Sequence, residues 1–70
     1  MYCCIAIEVE GRTRLITSRS EREAALAAEA VLRRFAAEVV SMGYVVECGD
    51  SRVRERIADY LADVALELTH

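Results

Sequence analysis

The chain opens with apolar and polar positions alternating at period two. In CCIAIEVE (3–10), Cys3, Ile5, Ile7 and Val9 fall on one side and Cys4, Ala6, Glu8 and Glu10 on the other, which predicts a half-buried strand. GRT follows as a turn, with Gly11 free to take positive φ, and RLITS (14–18) reads as a second strand. A register placing Glu8 opposite Arg14 and Ile7 opposite Leu15 keeps Ile5, Ile7, Val9 and Leu15 on one face and pairs opposite charges. The other face then holds Tyr2, Cys4, Ala6, Ile16 and Val45.

Beyond residue 19 the period changes. SERE (20–23) has the form of a capping box, with Ser20 as N-cap and Glu23 at N3. Ala25, Ala28, Leu32, Phe35, Val39 and Met42 recur at three- and four-residue steps, a helical stripe of about 22 residues ended by Gly43. YVVEC (44–48) reads as a third strand. Asp50 or Ser51 then caps a second helix over about 52–68.

The expected fold is therefore α+β, a single domain over residues 1–70 in the order ββαβα. It has a three-stranded mixed sheet, a β-hairpin plus a third strand, packed with two helices. The strand–helix–strand connection places the third strand parallel to the second or beside the first, with a right-handed crossover. The first helix takes the face of Ile5 and Ile7. Either the second helix or a second copy of the chain covers the other face.

The second helix carries the clearest surface pattern. Projected at about 100° per residue, Val53, Ile57, Tyr60, Leu61, Val64 and Leu68 form a core arc. Glu55, Asp59, Asp63 and Glu67 recur every four residues as an acidic ridge. Arg56 lies within reach of Asp59, whereas Asp63 and Glu67 have no partner on their own helix. Both sit in the last turns, where the helix dipole disfavours acids by about 0.3–1 kcal/mol each. Ala58, Ala62, Ala65 and Leu66 make a third, mildly apolar side that calls for contact with the first helix, another copy or a partner.

Composition narrows the function classes. The net charge of −3 argues against a general nucleic-acid binder. All nine basic residues are arginine, and Arg19, Arg22, Arg52, Arg54 and Arg56 cluster at the starts of the two helices. There they suit a phosphate or other anion, although Glu21, Glu23, Asp50 and Glu55 nearly cancel them. No aromatic lies in the same stretch for stacking on bases. No run reaches the ~18 apolar residues of a membrane span, and no basic leader precedes Glu8, so a cytoplasmic protein is expected.

No constellation for catalysis emerges. The one histidine, His70, is terminal, and Ser18, Ser20, Ser41 and Ser51 have no histidine to activate them. The three glycines are isolated and cannot build a phosphate-cradling loop. Cys3, Cys4 and Cys48 lack C-x-x-C spacing and a histidine set, so neither a metal nor another cofactor is expected. Reduced, semi-buried thiols are the simplest reading. A bridge from Cys3 or Cys4 to Cys48 between neighbouring strands is one alternative and a reactive thiol another.

These features point to a small non-enzymatic protein-binding module, an inhibitor or adaptor. Asp59, Asp63, Leu66 and Glu67 are its partner-binding residues, and they face a basic protein surface such as that of a nucleic-acid-binding effector. By size and charge alone, small acidic inhibitors of the mobile-element and phage type, such as anti-CRISPR proteins and antitoxins, are the analogy. A core this small, with a spare apolar sheet face, also predicts a homodimer. One alternative is a nucleic-acid or phosphate-ligand module acting through Arg19, Arg22 and Arg52. Another is a structural subunit of an oligomer.

Overall fold

A computed structural model describes residues 2–70. Its elements are β1 (Cys3–Val9), β2 (Arg12–Ser18), α1 (Glu21–Arg34), a short 3-10 segment (Ala36–Ser41), β3 (Gly43–Cys48) and α2 (Ser51–Leu68). The order ββαβα and the α+β class are those read from the sequence. The sheet has the order β2-β1-β3, and β1 pairs antiparallel with both neighbours. Of the two expected placements, β3 thus takes the one beside β1. It runs in the same direction as β2 without touching it, so the sheet is antiparallel rather than mixed.

The hairpin is tighter than expected, and this moves its register. Val9 pairs with Arg12, leaving only Glu10 and Gly11 in the loop, with φ of 54° and 76°. Two consecutive positive φ values mark a type I′ turn, whose twist matches that of paired strands. The ladder therefore sets Ile7 opposite Arg14, Ala6 opposite Leu15 and Glu8 opposite Thr13. The expected Glu8–Arg14 and Ile7–Leu15 pairs are one residue out. A one-residue slip turns every side chain of a strand over. Ile16, not Leu15, consequently packs against the core, and Leu15 lies 69% exposed on the far face.

The first helix is also shorter than its apolar stripe. At 14 residues it spans about 21 Å, close to the ~23 Å length of a seven-residue strand. A 22-residue helix would run about 33 Å and overshoot the sheet. The chain instead leaves the helix at Phe35 (φ −112°, ψ 38°), and the 3-10 segment carries buried Val39 back to the core. At the N-terminus the Ser20 hydroxyl accepts the Glu23 N–H at 3.3 Å, as a capping box requires. The return contact is relayed: Ser20 N–H donates to Ser18 Oγ at 3.0 Å, and Ser18 Oγ donates to Glu23 at 3.5 Å.

Both helices lie on one face of the sheet, α1 over β2 and β1 and α2 over β3. Cys3, Ile5, Ile7 and Val9 of the central strand meet Ala24, Ala28 and Leu32 of α1 and Val53, Ile57, Leu61 and Val64 of α2 in one core. Ala24 and Ala28 let α1 approach the sheet closely. The second helix therefore does not cover the far face, which stays open.

Candidate functional site

Three surfaces follow from this arrangement. The first is the seam between the helices, which run parallel. Arg56 grips Glu21 with Nε–Oε1 at 2.6 Å and Nη2–Oε2 at 3.1 Å. Farther along, the Tyr60 hydroxyl donates to Glu29, which also accepts from Arg33 Nε at 2.8 Å. Arg33 Nη2 then reaches Glu67 at 3.4 Å. Hydrogen bonds from Tyr60 and Arg33 hold the Glu29 carboxyl below its ordinary range, and the Arg56 contact does the same for Glu21. The bond to Glu29 raises the Tyr60 phenol. Arg56 is thus engaged by Glu21 of the other helix rather than by Asp59. Glu67, unpartnered on its own helix, is met by Arg33 of α1. A projection of α2 alone cannot show these pairs, because they depend on which side α1 takes.

The second surface is the outer side of α2. Asp59, Asp63 and Leu66 are exposed, Leu66 by 58%, and neither aspartate has an ion pair among the described residues. Of the four partner-binding residues read from the sequence, three face outward and Glu67 turns toward the seam. The Ala58–Ala62–Ala65 side faces away from α1 and past β3. There Tyr44, Val46, Arg54, Glu55 and Ala58 line an open groove of about 290 Å³. Of the three occupants expected for this strip, the first helix is not the one that covers it.

The helix N-termini do share one end, as the arginine cluster requires, and Arg19, Arg22 and Arg52 are all exposed. Their surroundings are already occupied in part. The Asp50 carboxylate accepts the Arg52 N–H at 2.8 Å, Ser20 caps α1, and Glu21 engages Arg56. Of Arg19, Arg22 and Arg52, only Arg22 lines the shallow groove beside that pair, about 310 Å³ in volume.

The third surface is the uncovered sheet face. The register puts Thr13, Leu15 and Thr17 of β2, Cys4, Ala6 and Glu8 of β1, and Gly43, Val45 and Glu47 of β3 on it. Leu15, Ala6 and Val45 form one row across all three strands. Val45 is 59% exposed, and Tyr2, just before β1, is 55% exposed. Glu8 and Glu47 are the only ionisable acids or bases in these rows besides the Cys4 thiol, and neither has an ion pair among the described residues. The sequence reading had Leu15 on the wrong face. Glu10-Gly11, as a two-residue turn, is the signal that would have moved it.

Arg14 is a feature the sequence reading missed. On the core side of edge strand β2, its guanidinium lies 4.4 Å from the centre of the Phe35 ring, with Arg34 at 5.7 Å from the same ring. Arg14 Nη1 is buried without a hydrogen-bond partner among the described residues. An inward-pointing charge on an edge strand disfavours pairing with another chain, which gives this arginine a role without a ligand.

Among the described residues no group of three His, Cys, Asp or Glu side chains converges to hold a metal ion, and no helix is long and apolar enough to cross a membrane. Comparisons with known protein families, with curated proteins and with solved structures give no significant match.

Proposed function

We propose that this chain is a small non-enzymatic module that acts by binding another protein, and that the open sheet face is its main contact surface. The observation that carries the proposal is the Leu15–Ala6–Val45 row, with both large side chains more than half exposed. Contiguous apolar patches on small proteins mark interaction sites, and covering such a surface gains roughly 25 cal/mol per Å². By contrast, the outer side of α2 offers Leu66 as its one large exposed aliphatic side chain.

Charge selects the kind of partner. Glu8 and Glu47 border the row with no base among the strand positions of that face. Two copies stacked face to face would bring four carboxylates into one interface, a costly desolvation without compensation. A partner that presents an apolar ridge flanked by arginine or lysine is complementary. The overall charge of −3, with Asp59 and Asp63 outward on α2, would speed its approach without lying in the contact. The reading remains one of an adaptor or inhibitor, with its contact moved from the helix ridge to the sheet.

The test is differential capture from host extract by the wild type, by Leu15→Arg with Val45→Arg, and by Asp59→Arg with Asp63→Arg. A protein retained by the wild type and the helix variant but lost by the folded sheet variant supports the proposal. Loss with the helix variant alone overturns the assignment of the surface. A wild type that sediments as a dimer, and as a monomer once the sheet face is changed, assigns that face to a second copy and overturns the choice of partner.

A further inference from the structure

Cys3 begins β1 and Cys48 ends β3, and the two are direct partners across the ladder. The Gly49 N–H donates to the Tyr2 carbonyl at 3.2 Å. Tyr2–Gly49 is thus a hydrogen-bonded position, and the adjacent Cys3–Cys48 pair occupies a non-hydrogen-bonded one. At such positions the Cα atoms stand about 4.5 Å apart and the side chains approach most closely. That separation falls within the ~4.4–6.8 Å that a disulfide spans. Both thiols point to the helix-covered face, Cys3 fully buried and Cys48 half-buried. Cys4 points to the open face, between Thr17 and Glu47, so the bridge left open between Cys3 and Cys4 in the sequence is decided by the register.

We propose that Cys3 and Cys48 are a dithiol–disulfide pair, which locks β1 to β3 when the protein meets a small disulfide oxidant. The more exposed Cys48 reacts first. Its thiolate attacks one sulfur of the oxidant RSSR, forms Cys48–S–S–R and expels RS⁻, which takes up a proton. The Cys3 thiolate then attacks the Cys48 sulfur, breaks its S–S bond to the RS group and expels the second RS⁻, which takes up a proton. In sum, two protein thiols lose two electrons and two protons, and one RSSR becomes two RSH. Burial, then the hydrogen bond with Cys3, pushes the Cys48 thiol up to about 12, with Glu21 adding to the shift and Arg54 opposing it. Thiolate is therefore scarce at neutral pH, and closure is slow rather than spontaneous.

The pair closes a loop from residue 3 to residue 48, most of the chain. A cross-link over a loop that long restricts the unfolded state strongly, which matters most in a domain with so small a core. The oxidised form is expected to melt about 10 °C or more above the reduced form.

The experiment treats the full chain and its Cys4→Ser variant with excess oxidised glutathione. Intact mass is followed under non-reducing conditions, and then the melting temperature. The expected result is loss of two hydrogens in both proteins, with a higher melting temperature reversed by dithiothreitol. Cys3→Ala combined with Cys4→Ser, checked for folding by circular dichroism, should instead accumulate a glutathione adduct at Cys48. Failure of the folded Cys4→Ser protein to close overturns the proposal, as does a closed form that melts no higher than the reduced one.

Discussion

The Arg56 guanidinium of α2 meets the Glu21 carboxylate of α1 through two hydrogen bonds, of 2.6 and 3.1 Å. With Tyr60–Glu29 and Arg33–Glu67 it forms a polar seam along two parallel helices, while their apolar sides share one sheet face. That sharing leaves the opposite face bare.

The seam predicts an acid-sensitive fold. Glu21 and Glu29 have lowered pKa values, so their stabilisation is fully present above the ordinary value of 4.5 and is lost as pH falls through the lowered folded values. Melting temperature should drop on acidification below about pH 4.5, and Glu21→Gln with Glu29→Gln should flatten that drop. On the alkaline side Tyr60 is raised above 10.0, so its contribution is present below pH 10 and is lost as pH rises through the raised value. Tyr60→Phe should remove that alkaline component, as thermal melts across pH will show.

The hairpin turn fixes which face Leu15 occupies. Gly11→Ala places a Cβ at φ +76° and should destabilise the domain by roughly 1–2 kcal/mol, although no atom lies within 4 Å of the added carbon. Glu10→Asn should stabilise it slightly, because asparagine tolerates positive φ better. Chemical denaturation measures both. A neutral Gly11→Ala would favour the looser turn and the other register.

Arg14→Met should keep the packing on Phe35 and remove a buried donor that has no partner among the described residues. Stability should hold or rise by about 1 kcal/mol. The same change removes an inward charge from edge strand β2, so light scattering should show more self-association.

Asp63 and Glu67 should respond oppositely to reversal of charge. Asp63→Arg places a base near the C-terminus of α2 with no acid lost from a pair, and should stabilise by about 0.3–1 kcal/mol. Glu67→Arg replaces the partner of Arg33 with a like charge and should gain less or lose stability. Equal responses in thermal melts would mean that the Arg33–Glu67 contact carries no weight.

Local periodicity made the element order legible, since it reports the environment of each segment. Cys3, Ile5, Ile7 and Val9 are buried as their alternation implies, and so are Val53, Ile57, Leu61 and Val64. Quantities set by more than one segment were not legible. The register turned on whether the loop held two residues or three, and the charge pair Glu8–Arg14 argued for the wrong answer. The length of α1 was set by the length of the strands beneath it, not by the stripe that continued through Phe35 to Met42. The partners of Arg56 and Glu67 came from the other helix. Leu15, the most exposed large apolar side chain among the described residues, was hidden by the register error alone.

The most direct test of the account is oxidative side-chain footprinting of the chain, alone and in complex with the protein it captures. The account predicts that Tyr2, Leu15 and Val45 become protected in the complex while Leu66 stays as reactive as in the free protein. Protection of Leu66, with Leu15 and Val45 unchanged, would contradict it and return the contact to the outer side of α2.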